Sequence, residues 1–135
     1  MPYLQLDVPE RYPADIKRQL ARSLGELYAR IMQTTTERVV VGFRELPDGS
    51  LWRCGGDGPV PAAVLMCEIR HGRSPEQRAE LAQALIDTCV KALGLGRGGL
   101  IVEFTQHSGD EIYRDGRGWA DDWTPTEAPS SRRSN

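Results

Sequence analysis

The chain has 135 residues, 39% of them hydrophobic and 27% charged, with a formal net charge of -2. That is enough for one domain with a buried core, and the slightly acidic balance argues against nucleic acid or an anionic membrane as the main partner. No apolar run approaches the roughly 20 residues that a bilayer span needs.

The opening MPYLQLDVPERY carries Asp7 and Glu10 instead of a basic stretch followed by an apolar one, so no signal peptide and a cytoplasmic location are expected. Tyr3 to Val8 reads as a strand. Ile16, Leu20, Leu24, Leu27 and Ile31 then recur at helical spacing on one face, with Pro13 suited to the first turn. Residues 39–43, VVVGF, read as a second strand. Residues 46–62, LPDGSLWRCGGDGPVPA, are a Gly/Pro-rich connection with a turn at Pro47-Asp48-Gly49 and a short hairpin strand at Leu51-Trp52. A third strand runs from Val64 to Ile69. The next helix opens on Ser74-Pro75-Glu76-Gln77, a capping box in which Gln77 reaches back, and Gly94 and Gly96 can end it. Residues 100–104, LIVEF, are the fourth strand, 106–123 are a structured-loop candidate, and the tail from Thr124 is expected to be disordered. Cys54, Cys67 and Cys89 are odd in number and share no metal-ligand spacing, which reads as reduced thiols.

The chain is a duplication. A shift of 61 positions, from Tyr3 to Val64, lays Tyr3–Val8 over Val64–Ile69, Leu20–Leu24 over Leu81–Leu85, and Val39–Phe43 over Leu100–Phe104 without a gap. Each unit is strand, helix, strand. The crossover should be right-handed with its two strands parallel. The expected fold is α+β: two tandem β-α-β units forming a four-stranded sheet with both helices on one face, where Ala21, Ser23, Ala82 and Ala84 let the helices approach. Unit one spans 2–45, the connection 46–62, unit two 63–106 and a C-terminal loop 107–123, all in one domain over 1–123 with the tail at 124–135. Val40, Val64, Met66 and Ile101 should point to the face without helices. A bare apolar face is an association surface, so an oligomer is expected.

Three sets of residues can carry chemistry. Removal of Met1 would expose Pro2 as a secondary amine with an unperturbed pKa of about 8. Apolar or guanidinium surroundings disfavour its charged form and make it a base near neutrality, fit for proton abstraction beside a carbonyl; otherwise Pro2 is an accident of the terminus. Its repeat partner, Ala63, lies in mid-chain and has no free amine, so one site per chain would be live and the other lapsed. Arg70 and Arg73 flank a strand end and a helix N-terminus, where two guanidinium groups can grip a carboxylate or simply be solvated. Glu103 interrupts an apolar strand, as a water-activating or proton-carrying carboxylate or as an ion-paired structural residue. Trp119 and Trp123 either close over a pocket from a neighbouring chain or pack on the surface of their own.

A strand beginning at Pro2 and a later strand leading into Gly72-Arg73-Ser74-Pro75-Glu76-Gln77 resembles the 4-oxalocrotonate tautomerase pattern. The fused units, the Arg70-x-x-Arg73 spacing, Phe43-Arg44-Glu45-Leu46-Pro47, Gly55-Gly56 and Asp115-Gly116-Arg117 look most like the cis-3-chloroacrylic acid dehalogenase branch of that superfamily. The likeness covers residues 2–117. It implies the tautomerase (MIF-like) fold, a homotrimer, no cofactor, Pro2 as general base or acid, and Arg70 and Arg73 as the groups that bind and polarise a small carboxylate. Three positions depart from that branch. Ala29, with Tyr28 beside it, stands where the branch has a helix histidine, and Glu103 stands where it has a tyrosine. Tyr113-Arg114-Asp115 occupies the place of a loop glutamate. Tautomerisation of 2-oxo, enol or unsaturated carboxylates is the first expectation. Hydration or hydrolytic dehalogenation of 3-substituted acrylates or propiolates through Glu103 is the second. A catalytically retired trimer that binds or builds is the third.

Overall fold

A computed structural model describes residues 2–96 and 98–120. Met1, Trp123 and the tail at 124–135 lie outside the described residues. The elements in order are β1 (Tyr3–Val8), α1 (Ala14–Met32), a 3-10 turn (Thr36–Arg38), β2 (Val40–Glu45), β3 (Trp52–Gly55) and β4 (Gly58–Pro61). There follow β5 (Ala63–Arg70), α2 (Pro75–Leu93), β6 (Leu100–His107), a second 3-10 turn (Gly109–Glu111), β7 (Tyr113–Arg114) and β8 (Gly118–Trp119).

One sheet holds the fold, in the order β2-β1-β5-β6. The β1/β2 and β5/β6 pairs are parallel and the central β1/β5 pair is antiparallel. The duplication holds to the residue: Tyr3 pairs with Val40, and their partners in the second unit, Val64 and Ile101, pair with each other. Gln5 faces Met66, its own repeat partner, so the pseudo-twofold axis passes between those two residues.

Alternation along the strands sends Leu4, Leu6 and Val8 of β1 and Leu65, Cys67 and Ile69 of β5 to one face, where all are fully buried. Leu20 and Leu24 of α1 and Leu81, Leu85 and Cys89 of α2 close on them. Each such aliphatic side chain contributes about 1.5–3 kcal/mol by leaving water. Burial pushes the Cys67 and Cys89 thiols up to about 12, and all three cysteines are unpaired. The helices meet along this core, although Ser23 is exposed and takes no part in their approach; Gly25 is the buried small residue on α1.

The opposite sheet face carries no helix, and Val40 and Ile101 are 48% and 47% exposed there. It is less apolar than the sequence suggested. Tyr3 donates to Gln5 Oε1 (3.2 Å), Gln5 donates to Asp7 Oδ1 (3.0 Å), and Asp7 pairs with Arg44 at 3.6 Å. Tyr3 lies against Gly42 so closely that a Cβ there would fall 2.6 Å from the phenol oxygen.

The helix ends differ from expectation in two informative ways. Pro13 is the N-cap of α1, not a residue of its first turn, and supplies only its carbonyl, to Lys17 N–H at 3.2 Å. At α2 the Ser74 hydroxyl accepts from Gln77 N–H at 3.1 Å, but the Gln77 side chain does not reach back. It donates to the Ile31 carbonyl at 2.9 Å instead, because the end of α1 offers an unsatisfied acceptor beside it. Gly94 alone ends α2 in the left-handed region; α1 ends without glycine, on Gln33 at φ 57°.

Candidate active site

Because β1 and β5 are antiparallel with Tyr3 opposite Glu68, the start of β1 lies beside the end of β5. Pro2 thus arrives next to Arg70, the last residue of β5. Arg73 follows in the turn into α2, and its Nη2 donates to the Met32 carbonyl at 3.0 Å. A guanidinium on the last carbonyls of a helix satisfies an orphan acceptor and opposes the negative end of the helix dipole. That bond fixes the Arg73 side chain across the junction of the two units.

Pro2, Arg70 and Arg73 line a single pocket with about 390 Å³ of empty space, its open mouth included. Tyr28 enters it from the last turns of α1, and Thr34 and Arg38 from the segment just beyond. The C-terminal hairpin supplies Arg114 and Ala120. Arg114 is 6% exposed, the only buried charged side chain among the described residues, and it donates through Nε to Gly118 O (3.2 Å) and through Nη2 to Trp119 O (2.7 Å). Thr34 Oγ1 is buried with no hydrogen-bond partner among the described residues, the kind of group that a ligand or an ordered water satisfies.

Four guanidinium groups, permanently charged, therefore share one small pocket with Pro2, and no carboxylate stands among its described lining residues.

Glu103 is outside this pocket. It is exposed on the helix-free face of β6, opposite Met66, whereas Arg70 is opposite His107, four pairs further along and roughly 13 Å away at strand rise. Trp119 is also elsewhere: 51% exposed, it packs edge-on against Tyr113 at 5.0 Å. Of the residues singled out from the sequence, Pro2, Arg70 and Arg73 come together and Glu103 does not join them.

Sequence reading noted Tyr28 and Arg114 only as altered positions and passed over Thr34 and Arg38. A signal for Arg114 was present. The same 61-residue shift that aligns the strands lays Tyr113-Arg114-Asp115-Gly116 over Trp52-Arg53-Cys54-Gly55. The duplication thus extends into the hairpins β3/β4 and β7/β8, each with an aromatic residue followed by an arginine that donates to a backbone carbonyl, Gly98 O in the case of Arg53.

No family model and no curated protein matches the chain. Among solved structures it is similar to Pt0534 inactivated by 2-oxo-3-pentynoate, at 22% identity over 87% of this chain and 95% of that one, TM-score 0.76. It is equally similar to N1, a member of the cis-3-chloroacrylic acid dehalogenase family, at 20% identity over 87% and 82% of the two chains, TM-score 0.76. The Q0 fused 4-OT, a wild type symmetric trimer, matches at 16% identity over 87% and 94%, TM-score 0.76. The fold is therefore that of the tautomerase superfamily in its fused, two-unit form.

Proposed function

We propose that the chain is a cofactor-free tautomerase for small 2-oxo, enol or unsaturated carboxylates, with Pro2 as the proton carrier after loss of Met1. The observation that carries this reading is that Pro2 shares its pocket with Arg70 and Arg73. The arginines hold the substrate carboxylate and stabilise the negative charge that grows on the adjacent oxygen as a dienolate forms. The prolyl nitrogen takes a proton from the enol oxygen or from carbon and returns one to carbon, so that amine and substrate each end with the protons they began with. Tyr28 is buried and lines the same pocket. The test is ketonisation of phenylenolpyruvate by native protein and by Pro2→Ala. A positioned base supplies about 10²–10⁴-fold, so the variant should lose at least a hundredfold in kcat/KM; equal rates would remove the amine from the mechanism.

The working form on this reading is a homotrimer joined across the helix-free face, supported by the exposure of Val40 and Ile101 and by the trimeric state of the Q0 fused 4-OT. Sedimentation should give three times the 15.0 kDa chain mass, and a monomer at micromolar concentration would contradict it. Hydration or dehalogenation through Glu103 needs that carboxylate to reach a pocket across a contact between chains. Glu103→Gln should then abolish turnover of a 3-haloacrylate yet spare enol ketonisation; if both activities survive the change, Glu103 is structural.

A further inference from the structure

We infer that copies of this chain join head to tail, with Arg44 on the β2 edge of one copy paired to Glu103 on the β6 edge of the next. The inference rests on the assembly proposed above and adds its direction and the residues that set it. β2 and β6 are the outer strands of the sheet and are equivalents in the duplication. Both carry an exposed aliphatic side chain at the same repeat position on the helix-free face, Val40 and Ile101. Beyond it the edges diverge: β2 has Gly42 and Arg44 where β6 has Glu103 and Thr105. Apart from His107, which pairs with Glu68 at 3.7 Å, the β2 edge is positive on this face and the β6 edge negative.

Register sets the heights. Arg44, Asp7, Val64 and Ile101 form one row across the sheet, and Gly42, Gln5, Met66 and Glu103 form the row beside it. A ring axis along the strands keeps every row at its height from copy to copy. Arg44 then stands level with Ile101 of the next copy and one row from Glu103, roughly 7 Å along the strand, which an arginine side chain spans. Both groups are available. The Arg44 side chain is 59% exposed, and Asp7 approaches its Nε at 3.6 Å, too long for a hydrogen bond. Glu103 is exposed and has no hydrogen bond or ion pair with the described residues. Like edges repel: β2 on β2 sets Arg44 against Arg44, and β6 on β6 sets Glu103 against Glu103. A contact between unlike edges repeats from copy to copy until the ring closes.

The experiment is sedimentation across a concentration series at fixed ionic strength, with each charge reversed alone and then both together. Arg44→Glu and Glu103→Arg should each raise the concentration at which half the chains are assembled by about tenfold or more. The double variant restores opposite charges across the contact and should return that concentration close to the native one. Within one chain the two residues lie on opposite edges, three strand spacings or about 14 Å apart, so such a rescue arises only between chains. Arg44→Gln and Glu103→Gln repeat the test should a reversal not fold, and each should shift assembly the same way by less. An assembled native protein whose variants assemble as it does, or a double variant no better than the worse single one, overturns the inference and leaves the trimer standing. A native chain that is monomeric throughout overturns the trimer itself, so the two failures are read separately.

Discussion

The two halves of this chain share one architecture and differ in chemistry. Both helices span 19 residues, both strand pairs keep the same register, and Leu24 and Leu85 are equivalent, fully buried core positions. At the ends of the strands the likeness stops. Every pocket residue from the two units has a repeat partner without its chemistry: Ala63 for Pro2, Cys89 for Tyr28, Leu95 for Thr34, Gly99 for Arg38, Pro9 for Arg70 and Tyr12 for Arg73. Ala63 N–H is an amide that donates to the Gly99 carbonyl at 3.1 Å and has no basicity to offer. Core positions answer to packing, which both halves need. On the proposed function, pocket positions answer to a ligand, and only the first unit can offer a terminal amine.

Several variants can break or sharpen that comparison. Leu24→Ala and Leu85→Ala should each destabilise the fold by about 2–5 kcal/mol, and by similar amounts, because the two sites are equivalent. Chemical denaturation measures both; a large asymmetry would mean that the halves do not share one core. Arg73→Gln should lose tenfold or more in carboxylate affinity and, through the Met32 carbonyl, about 1 kcal/mol of stability. Tyr12→Phe at the equivalent place in unit one should leave carboxylate affinity unchanged, and titration of both variants decides the point.

The smallest effect is on acid stability. Glu45 is held below the usual carboxylate range, first by the Tyr12 N–H at 2.8 Å and then by Lys17 at 3.0 Å. A lowered folded-state value means that its contribution is full above the ordinary carboxylate value of about 4.5 and is lost below it, as the pH falls through the lowered folded-state value. Its repeat partner is Gln106, which does not titrate. Glu45→Gln should therefore flatten the loss of melting temperature below pH 4.5, whereas Gln106→Ala should leave the slope as it was.

The fold was legible because repetition and periodicity are properties of sequence order. Ile16 to Ile31 declare a helix face, and the 61-residue shift predicts the pairing of Val64 with Ile101 from that of Tyr3 with Val40. Pro2, Arg70 and Arg73 were legible because a strand start and a strand-to-helix turn are places where chemistry collects. Arg38, Thr34 and Arg114 were harder, since they meet only when the ends of three segments converge, and no spacing records that. Gln77 fooled the motif for a related reason: a capping box is local, and the carbonyl that took its side chain belongs to Ile31, in the other unit. Glu103 interrupts an apolar strand, and alternation puts it on the helix-free face, outside the pocket of its own chain.

The account stands on an unblocked prolyl nitrogen among guanidinium groups. Intact mass, before and after exposure to 2-oxo-3-pentynoate, tests this most directly. The expected result is a chain lacking Met1 that gains one adduct, mapped to Pro2. A chain that retains Met1, or an adduct that maps to Cys54 and leaves Pro2 untouched, would contradict it.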